Sequence, residues 1–215
     1  MHSQEQLKSQ LVAANHYAEN LSEECELWLS ERGISRSVAA KYLLGTVTDA
    51  IAGHEHHEGW ISIPYLTALG LCVGFKFRRI DDGKPKYGSP AGQKSHLYNV
   101  ADTLLQSKVI AICEGEFDTV ISSGVLNIPT VGVPGVAAWK AHYPKLLSGF
   151  DTVLVLGDND VKEDGTNPGA DFSRRVAGDV LNSRIVELPA GMDLNDYYLA
   201  NGKEQTLHLL GVNNV

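Results

Sequence analysis

Leu7, Leu11, Ala14, Ala18, Leu21, Cys25, Leu27 and Trp28 recur at helical intervals with charged residues between them, which predicts one or two amphipathic helices over residues 5–28. Gly33 breaks the spacing, Ser35 is placed to cap the next helix, and SRSVAAKYLLG restores the helical period until Gly45, where that helix should end. From Gly59 to Tyr98 the texture changes: WISIPYL and LGLCVGFKFRRI are rich in β-branched and aromatic residues, and DDGKP and SPAG punctuate them. That is the pattern of an antiparallel β region with loops. Between Lys108 and Leu188 the short apolar runs VIAIC, TVGV, TVLVLG and RIVEL alternate with helical segments of roughly ten residues. The tail, DLNDYYLANGKEQTLHLLG, reads as two short helices separated at Asn201-Gly202.

Strands that recur across helices imply right-handed crossovers and a parallel sheet. The chain is therefore expected to be α/β (α+β overall), with a parallel sheet flanked by helices and, before it, a smaller mixed subdomain with antiparallel strands. The texture changes near Asp102–Lys108. The expected divisions are residues 1–104, an amino-terminal α/β subdomain; 105–190, the parallel-sheet domain; and 191–215, a helical tail.

Composition narrows the classes. The 215 residues are 43% hydrophobic and 20% charged, enough to bury a proper core. The polar start, MHSQEQLKSQLVAAN, lacks an apolar signal core, and no stretch approaches the roughly 18 apolar residues of a membrane helix, so a cytoplasmic protein without membrane contact is expected. Cys25, Cys72 and Cys113 form no CxxC pair, which supports neither a disulfide framework nor a zinc ribbon. A formal net charge of −8 repels polyanions at long range, so any nucleic-acid surface must be local. Val73–Val100 is such a stretch: six Lys or Arg (76, 78, 79, 84, 86, 94) stand against Asp81 and Asp82. Tyr87 and Tyr98 can stack on bases or simply pack within the β region.

The candidate chemistry is acidic. VIAICEGEFDTV is a buried strand, then Glu114, then Gly115 and a helix; TVLVLGDND delivers Asp158 and Asp160 after a second apolar strand. Open α/β sheets bind ligands at the carboxyl ends of their strands, and alternate residues of an extended chain point to the same side. A few carboxylates suit a hard divalent ion such as magnesium, which keeps waters and shares substrate phosphate oxygens; zinc is not expected. Asp118 can support the cluster from one helical turn beyond Glu114. Alternatively each acid is a helix cap or turn residue. HEHHE at 54–58 can ligate a transition metal or, as its polarity favours, form a solvated loop, and GVPGVAAW around Gly132 and Gly135 is either a phosphate-approach turn or a plain strand-to-helix turn.

At these residues the chain resembles the Toprim domain of bacterial primases, topoisomerases and recombination nucleases, whose signature is a Glu after one strand and Asp-x-Asp after another. Within that group ERGISRSVAAKYLLG, GWISIPYL, GLCVGFKFRRI, KPKYGSP, SHLYNV, GADFSRRVAG and LPAGMDLNDYYLANGKEQ resemble the catalytic core of the replicative primases. The resemblance implies a Toprim-type sheet and metal-dependent synthesis of short RNA primers on single-stranded DNA from ribonucleoside triphosphates. It implies Mg2+ or Mn2+, two ions, on Glu114, Asp158 and Asp160, with Asp118 catalytic and Asp193 supporting. It also implies that Arg78, Arg79, Lys84, Lys86, Lys94 and Arg175 contact template or nucleotide. VKEDGTNP after Asp160 stands as an insertion relative to that family, and Ala170 replaces a frequent arginine. No Cys/His set matches the family's zinc-binding module and little length remains for its helicase-binding region, so a zinc module acting in trans and a replicative helicase are the expected partners. The alternatives are a Toprim nuclease and a non-catalytic nucleic-acid or replisome binding module.

Overall fold

Serines start the first three helices in the computed structural model, which describes residues 3–212. Ser3 accepts from the Gln6 amide while Gln6 accepts back from the Ser3 amide, a capping box that opens α1 (Gln4–Glu19). Ser22 opens α2 (Glu23–Ser30) and Ser35 opens α3 (Arg36–Lys41) with the serine side of that arrangement alone. The described chain forms two compact units, one ending at Ser95 and the other beginning at His96.

In the first unit α3 stops at Lys41 rather than running to Gly45, and Leu43 takes a left-handed conformation (φ 52°). Gly45 instead pairs in β1 (Gly45–Thr46), flush against α1: a Cβ there would lie 2.0 Å from the Tyr17 carbonyl oxygen. Only glycine permits that approach. The antiparallel sheet runs in order β1, β2 (Ile61–Leu66), β3 (Cys72–Arg78) and β4 (Tyr87–Gly88). β3 alternates as a half-exposed strand should, burying Phe75 and Phe77 while Lys76 and Arg78 stay partly exposed. Ala13, Ala14 and Tyr17 of α1 pack on the buried side with Cys72, Phe75 and Phe77.

The expectation of a solvated HEHHE loop is corrected here. His54 is buried, its Nδ1 3.1 Å from the Tyr17 hydroxyl and its ring edge-on to Phe75 and Phe77. Burial pushes its pKa down to about 4, so the ring is a neutral core group. His57 stacks on Phe77 with ring centroids 4.2 Å apart. Two histidines thus serve the aromatic core, while His56 is exposed.

The second unit is a parallel sheet in order β6 (Thr130–Gly132), β5 (Val109–Cys113), β7 (Thr152–Leu156) and β8 (Ser183–Ile185). β5 and β7 are central and almost wholly buried, which accounts for their unbroken apolar runs. α4 (Glu116–Val120) follows β5 and passes into a π-helical turn, Ile121–Val125; α5 (Pro168–Asp179) connects β7 to β8. Between β6 and β7 the expected helix is replaced by short 3-10 turns, Val136–Ala138 and Tyr143–Leu146, in a segment broken by Pro134, Gly135 and Pro144. The last helix, α6 (Leu194–Leu209), is kinked at Gly202 (φ 77°, ψ 174°), which makes it the expected pair of short helices. Among the described residues no helix is long and apolar enough to cross a membrane.

Candidate functional site

Glu114 is the residue after β5, and Gly115 caps α4 without a side chain. A Cβ at Gly115 would stand 2.8 Å from an Asp118 carboxylate oxygen, so glycine lets that carboxylate turn back beneath the strand end. β7 stops at Leu156, two residues before the second acidic motif, so Asp158 and Asp160 lie on coil beyond the strand. Asp158 is partly buried and Asp160 exposed.

Between them Asn159 has a structural role. Its side-chain amide donates to the Leu188 carbonyl at 2.6 Å and its oxygen accepts from Asn167 at 2.7 Å. Its backbone accepts from the Gly191 amide and donates to the Met192 carbonyl. These bonds lash the 188–192 loop to the end of β7, which brings Asp193 to the same edge. Asp193 is also the N-cap of α6, accepting from the Asp196 amide at 2.7 Å, and the amide of Asn195 in the same helical turn donates to Asp118 at 3.0 Å. Close glycine packing completes the support: a Cβ on Gly169 would lie 2.1 Å from the Asp158 carbonyl oxygen, and one on Gly157 2.3 Å from that of Gly169. The first turn of α5 is thereby seated against the acidic motif.

The electrostatics mark the site. Burial, then repulsion from Glu114, Asp193 and Asp160, pushes the Asp158 carboxyl up to about 7. Asp118 is raised well above the carboxylate range by burial and by Asp193 and Asp158, with the Asn195 amide opposing. Glu114 and Asp193 are raised chiefly by burial. Five acids, Glu114, Asp118, Asp158, Asp160 and Asp193, therefore act on one another at one sheet edge. Among the described residues no three His, Cys, Asp or Glu side chains already stand as a ligand set for one ion. Yet Glu114 Oε2 is buried with no hydrogen-bond partner, and the carboxylates around it are under-neutralised. An orphaned carboxylate oxygen within a crowd of anionic oxygen donors fits a hard divalent cation. Beside Asp158 lies a cavity of about 390 Å³ whose walls include Ser173, Arg174, Ile185 and Leu188.

The other sequence-derived residues divide. In the first unit Arg78 and Lys76 place their cationic heads 4.9 and 4.4 Å from the Tyr87 ring, a cross-strand arrangement made by the Arg78–Tyr87 pairing of β3 and β4. Lys84, Lys86 and Lys94 are exposed in the same unit. Arg79 is engaged elsewhere, bidentate to Asp81 and 5.0 Å from the Trp60 ring, in a cleft also lined by Glu24, Glu31 and Glu58. In the second unit Arg175 donates to the Trp139 carbonyl, whereas its neighbour Arg174 lines the cavity by Asp158 and pairs with Asp171. Sequence reasoning passed over Arg174, Asn195 and Lys162 as site residues and counted Lys76 only within the basic stretch. Only Lys76 had a usable signal, its alternation with Phe75 and Phe77.

No family model matches the chain. It is 37% identical over 155 residues to the Gene 57 protein of Mycobacterium phage D29, a match covering 70% of this chain and 97% of that protein. It is 27% identical over 176 residues to a DNA primase of Clostridium acetobutylicum, covering 74% of this chain and 28% of that protein. Against a DNA primase of Staphylococcus epidermidis it is 26% identical over 200 residues, 89% and 33% respectively. The chain thus spans about a third or less of these primases. The zinc-binding and RNA polymerase domains of Aquifex aeolicus primase superpose with a TM-score of 0.79 at 20% identity, over 99% of this chain and 62% of that one. A DnaG primase catalytic domain bound to single-stranded DNA gives 0.74 at 17%, over 95% and 80%.

Proposed function

The chain belongs to the family of the Gene 57 protein of Mycobacterium phage D29 and has the fold of the bacterial primase catalytic core, and from that premise we propose that it is the catalytic core of a DNA primase. It joins ribonucleotides on a single-stranded DNA template in the cytoplasm of a bacterial cell or phage-infected host. The observation that carries this reading is the uncompensated acidic edge, with the orphaned oxygen of Glu114 beside Asp158, on the primase-core fold.

Glu114, Asp158 and Asp160 would hold Mg2+ or Mn2+, two ions when the site is full. The chemistry such ions would supply there is activation of the primer 3′-hydroxyl and neutralisation of the leaving pyrophosphate. The chain's own residues fix geometry. Asn195 holds Asp118, Asn159 holds the loop that carries Asp193, and the Gly157–Gly169 contact fixes the backbone of Asp158. No side-chain nucleophile is needed, because positioning and charge stabilisation dominate phosphoryl transfer. The basic face of the first unit, Lys76, Arg78, Lys84, Lys86 and Lys94 around Tyr87, binds template phosphates, and Tyr87 offers a stacking surface. A replicative helicase or a zinc module acting in trans would supply the choice of start site.

Purified protein incubated with single-stranded DNA, labelled ribonucleotides and Mg2+ or Mn2+ is expected to yield template-dependent, alkali-labile RNA. DNA cleavage without incorporation would replace this reading with a nuclease. For the basic face, Lys86→Ala combined with Lys94→Ala is expected to weaken single-strand binding and to flatten the log–log salt dependence by about 0.7 for each phosphate no longer neutralised, measured by fluorescence anisotropy. An unchanged slope would remove these lysines from the template path.

A further inference from the structure

The insertion after Asp160 carries a single cation. Lys162 is the only Lys or Arg between Leu156 and Arg174, in a stretch that also holds Asp158, Asp160, Glu163, Asp164 and Asp171. Its ammonium lies 3.7 Å from Asp160 Oδ2, and its charge also acts on Glu114. The base of the side chain is fixed by a tight turn. The Lys162 amide donates to the Thr166 carbonyl at 2.8 Å, the Gly165 amide donates back to the Lys162 carbonyl at 2.9 Å, and Asp164 accepts from the Thr166 amide and hydroxyl at 3.0 and 2.7 Å. Gly165 takes the left-handed conformation (φ 81°) that the turn requires.

Its head is held only weakly. The Lys162 and Asp160 side chains are 55% and 60% exposed, and a pair this solvated is largely screened and adds too little for a stabilising device. A long side chain on a fixed root with a weak present partner moves readily to a more strongly charged one. Three other cations of this unit are engaged: Arg174 pairs with Asp171, Arg175 donates to the Trp139 carbonyl and Lys203 to the Val125 carbonyl. A triphosphate approaching Glu114, Asp118, Asp158, Asp160 and Asp193 meets concentrated negative charge. The cation at hand is Lys162.

We propose that Lys162 is a movable counter-charge: it rests on Asp160 while the carboxylates lack metal, and swings to the polyphosphate of an incoming ribonucleotide once divalent ions hold them. The inference rests on the polymerase reading above. In the transfer the primer 3′-hydroxyl gives up its proton to solvent water, its oxygen bonds to the α-phosphorus, and the bond from that phosphorus to the bridging oxygen breaks, its electron pair leaving on that oxygen as pyrophosphate departs. A lysine on the β- or γ-phosphate neutralises charge gathering on that leaving group as a point charge, without the fixed geometry an arginine imposes.

The two halves of this role carry opposite signs. Lys162→Ala removes a cation that competes with metal, so the Mn2+ concentration at half-maximal thermal stabilisation, measured without nucleotide, should fall about threefold. The KM for ribonucleotide should rise about five- to tenfold in the same protein, with Lys162→Arg recovering most of it. Lys145→Ala, an exposed lysine on the Tyr143–Leu146 turn, should leave both readings unchanged. A Lys162→Ala protein that matches wild type in both readings, or that binds Mn2+ more weakly, overturns the inference. If wild type makes no RNA, the polymerase reading fails instead. The Mn2+ titration still decides whether Lys162 competes with metal.

Discussion

Asp158→Asn is expected to abolish RNA synthesis and, in the same metal-free protein, to raise the melting temperature. Asparagine keeps the shape of the side chain and an acceptor oxygen but removes a charge that burial, and then Glu114, Asp193 and Asp160, oppose. Loss of an anionic ligand should lower incorporation by at least about a hundredfold, since single groups that hold or neutralise the reacting centre are worth that or more. Burial first, and repulsion second, have moved the carboxyl from 3.8 to about 7, and one unit is worth about 1.4 kcal/mol; discounting for its partial exposure leaves about 2 kcal/mol of buried-charge penalty and repulsion relieved near neutral pH. In a protein of this length that corresponds to a rise of about 4–8 °C. Chelated protein followed by differential scanning fluorimetry, alongside the incorporation assay, gives both numbers. A fall in melting temperature together with lost activity would recast Asp158 as a structural acid and sink the metal-site reading.

Much of the fold was legible because its signals are local. Ser35 at a helix start, unbroken apolar runs for the central strands β5 and β7, and the β-branched and aromatic texture of β3 all reflect what each segment caps or buries. What the sequence misread depends on distant partners. SRSVAAKYLLG has helical period up to Gly45, but the helix stops at Lys41, Leu43 turns left-handed, and Gly45 enters β1 against the Tyr17 carbonyl, where a side chain has no room. HEHHE is polar by composition, yet His54 is drawn inside by the Tyr17 hydroxyl and two phenylalanine edges. The acidic edge was legible in its residue types and their position after strands. Its asymmetry was not: Asp158 is half sheltered and Asp160 exposed because β7 ends at Leu156, and the tie from Asn195 to Asp118 joins residues 77 positions apart. Lys162 gave no periodic signal, since an insertion carries none.

Divalent metal should stabilise the folded chain, and more strongly as pH rises. A carboxyl whose folded-state pKa is raised contributes its stability in full below the unfolded value, 3.8 for Asp158, and loses it as pH climbs through the folded value, about 7. Asp118, Asp193 and Glu114 are raised as well and act in the same direction. Metal-free protein should therefore lose stability across that window as the edge fills with unneutralised charge. Mg2+ or Mn2+ binds the ionised forms and competes with protons for the same oxygens, so its stabilisation should be near zero around pH 5 and reach several degrees around pH 8. The difference between paired melts with and without metal isolates this from other titrating groups. In Asp158→Asn combined with Glu114→Gln the metal-induced rise should disappear at every pH. A rise that persists in the double variant, or that does not grow with pH, would place the ions elsewhere on this acidic chain and take the carboxylate edge out of the chemistry.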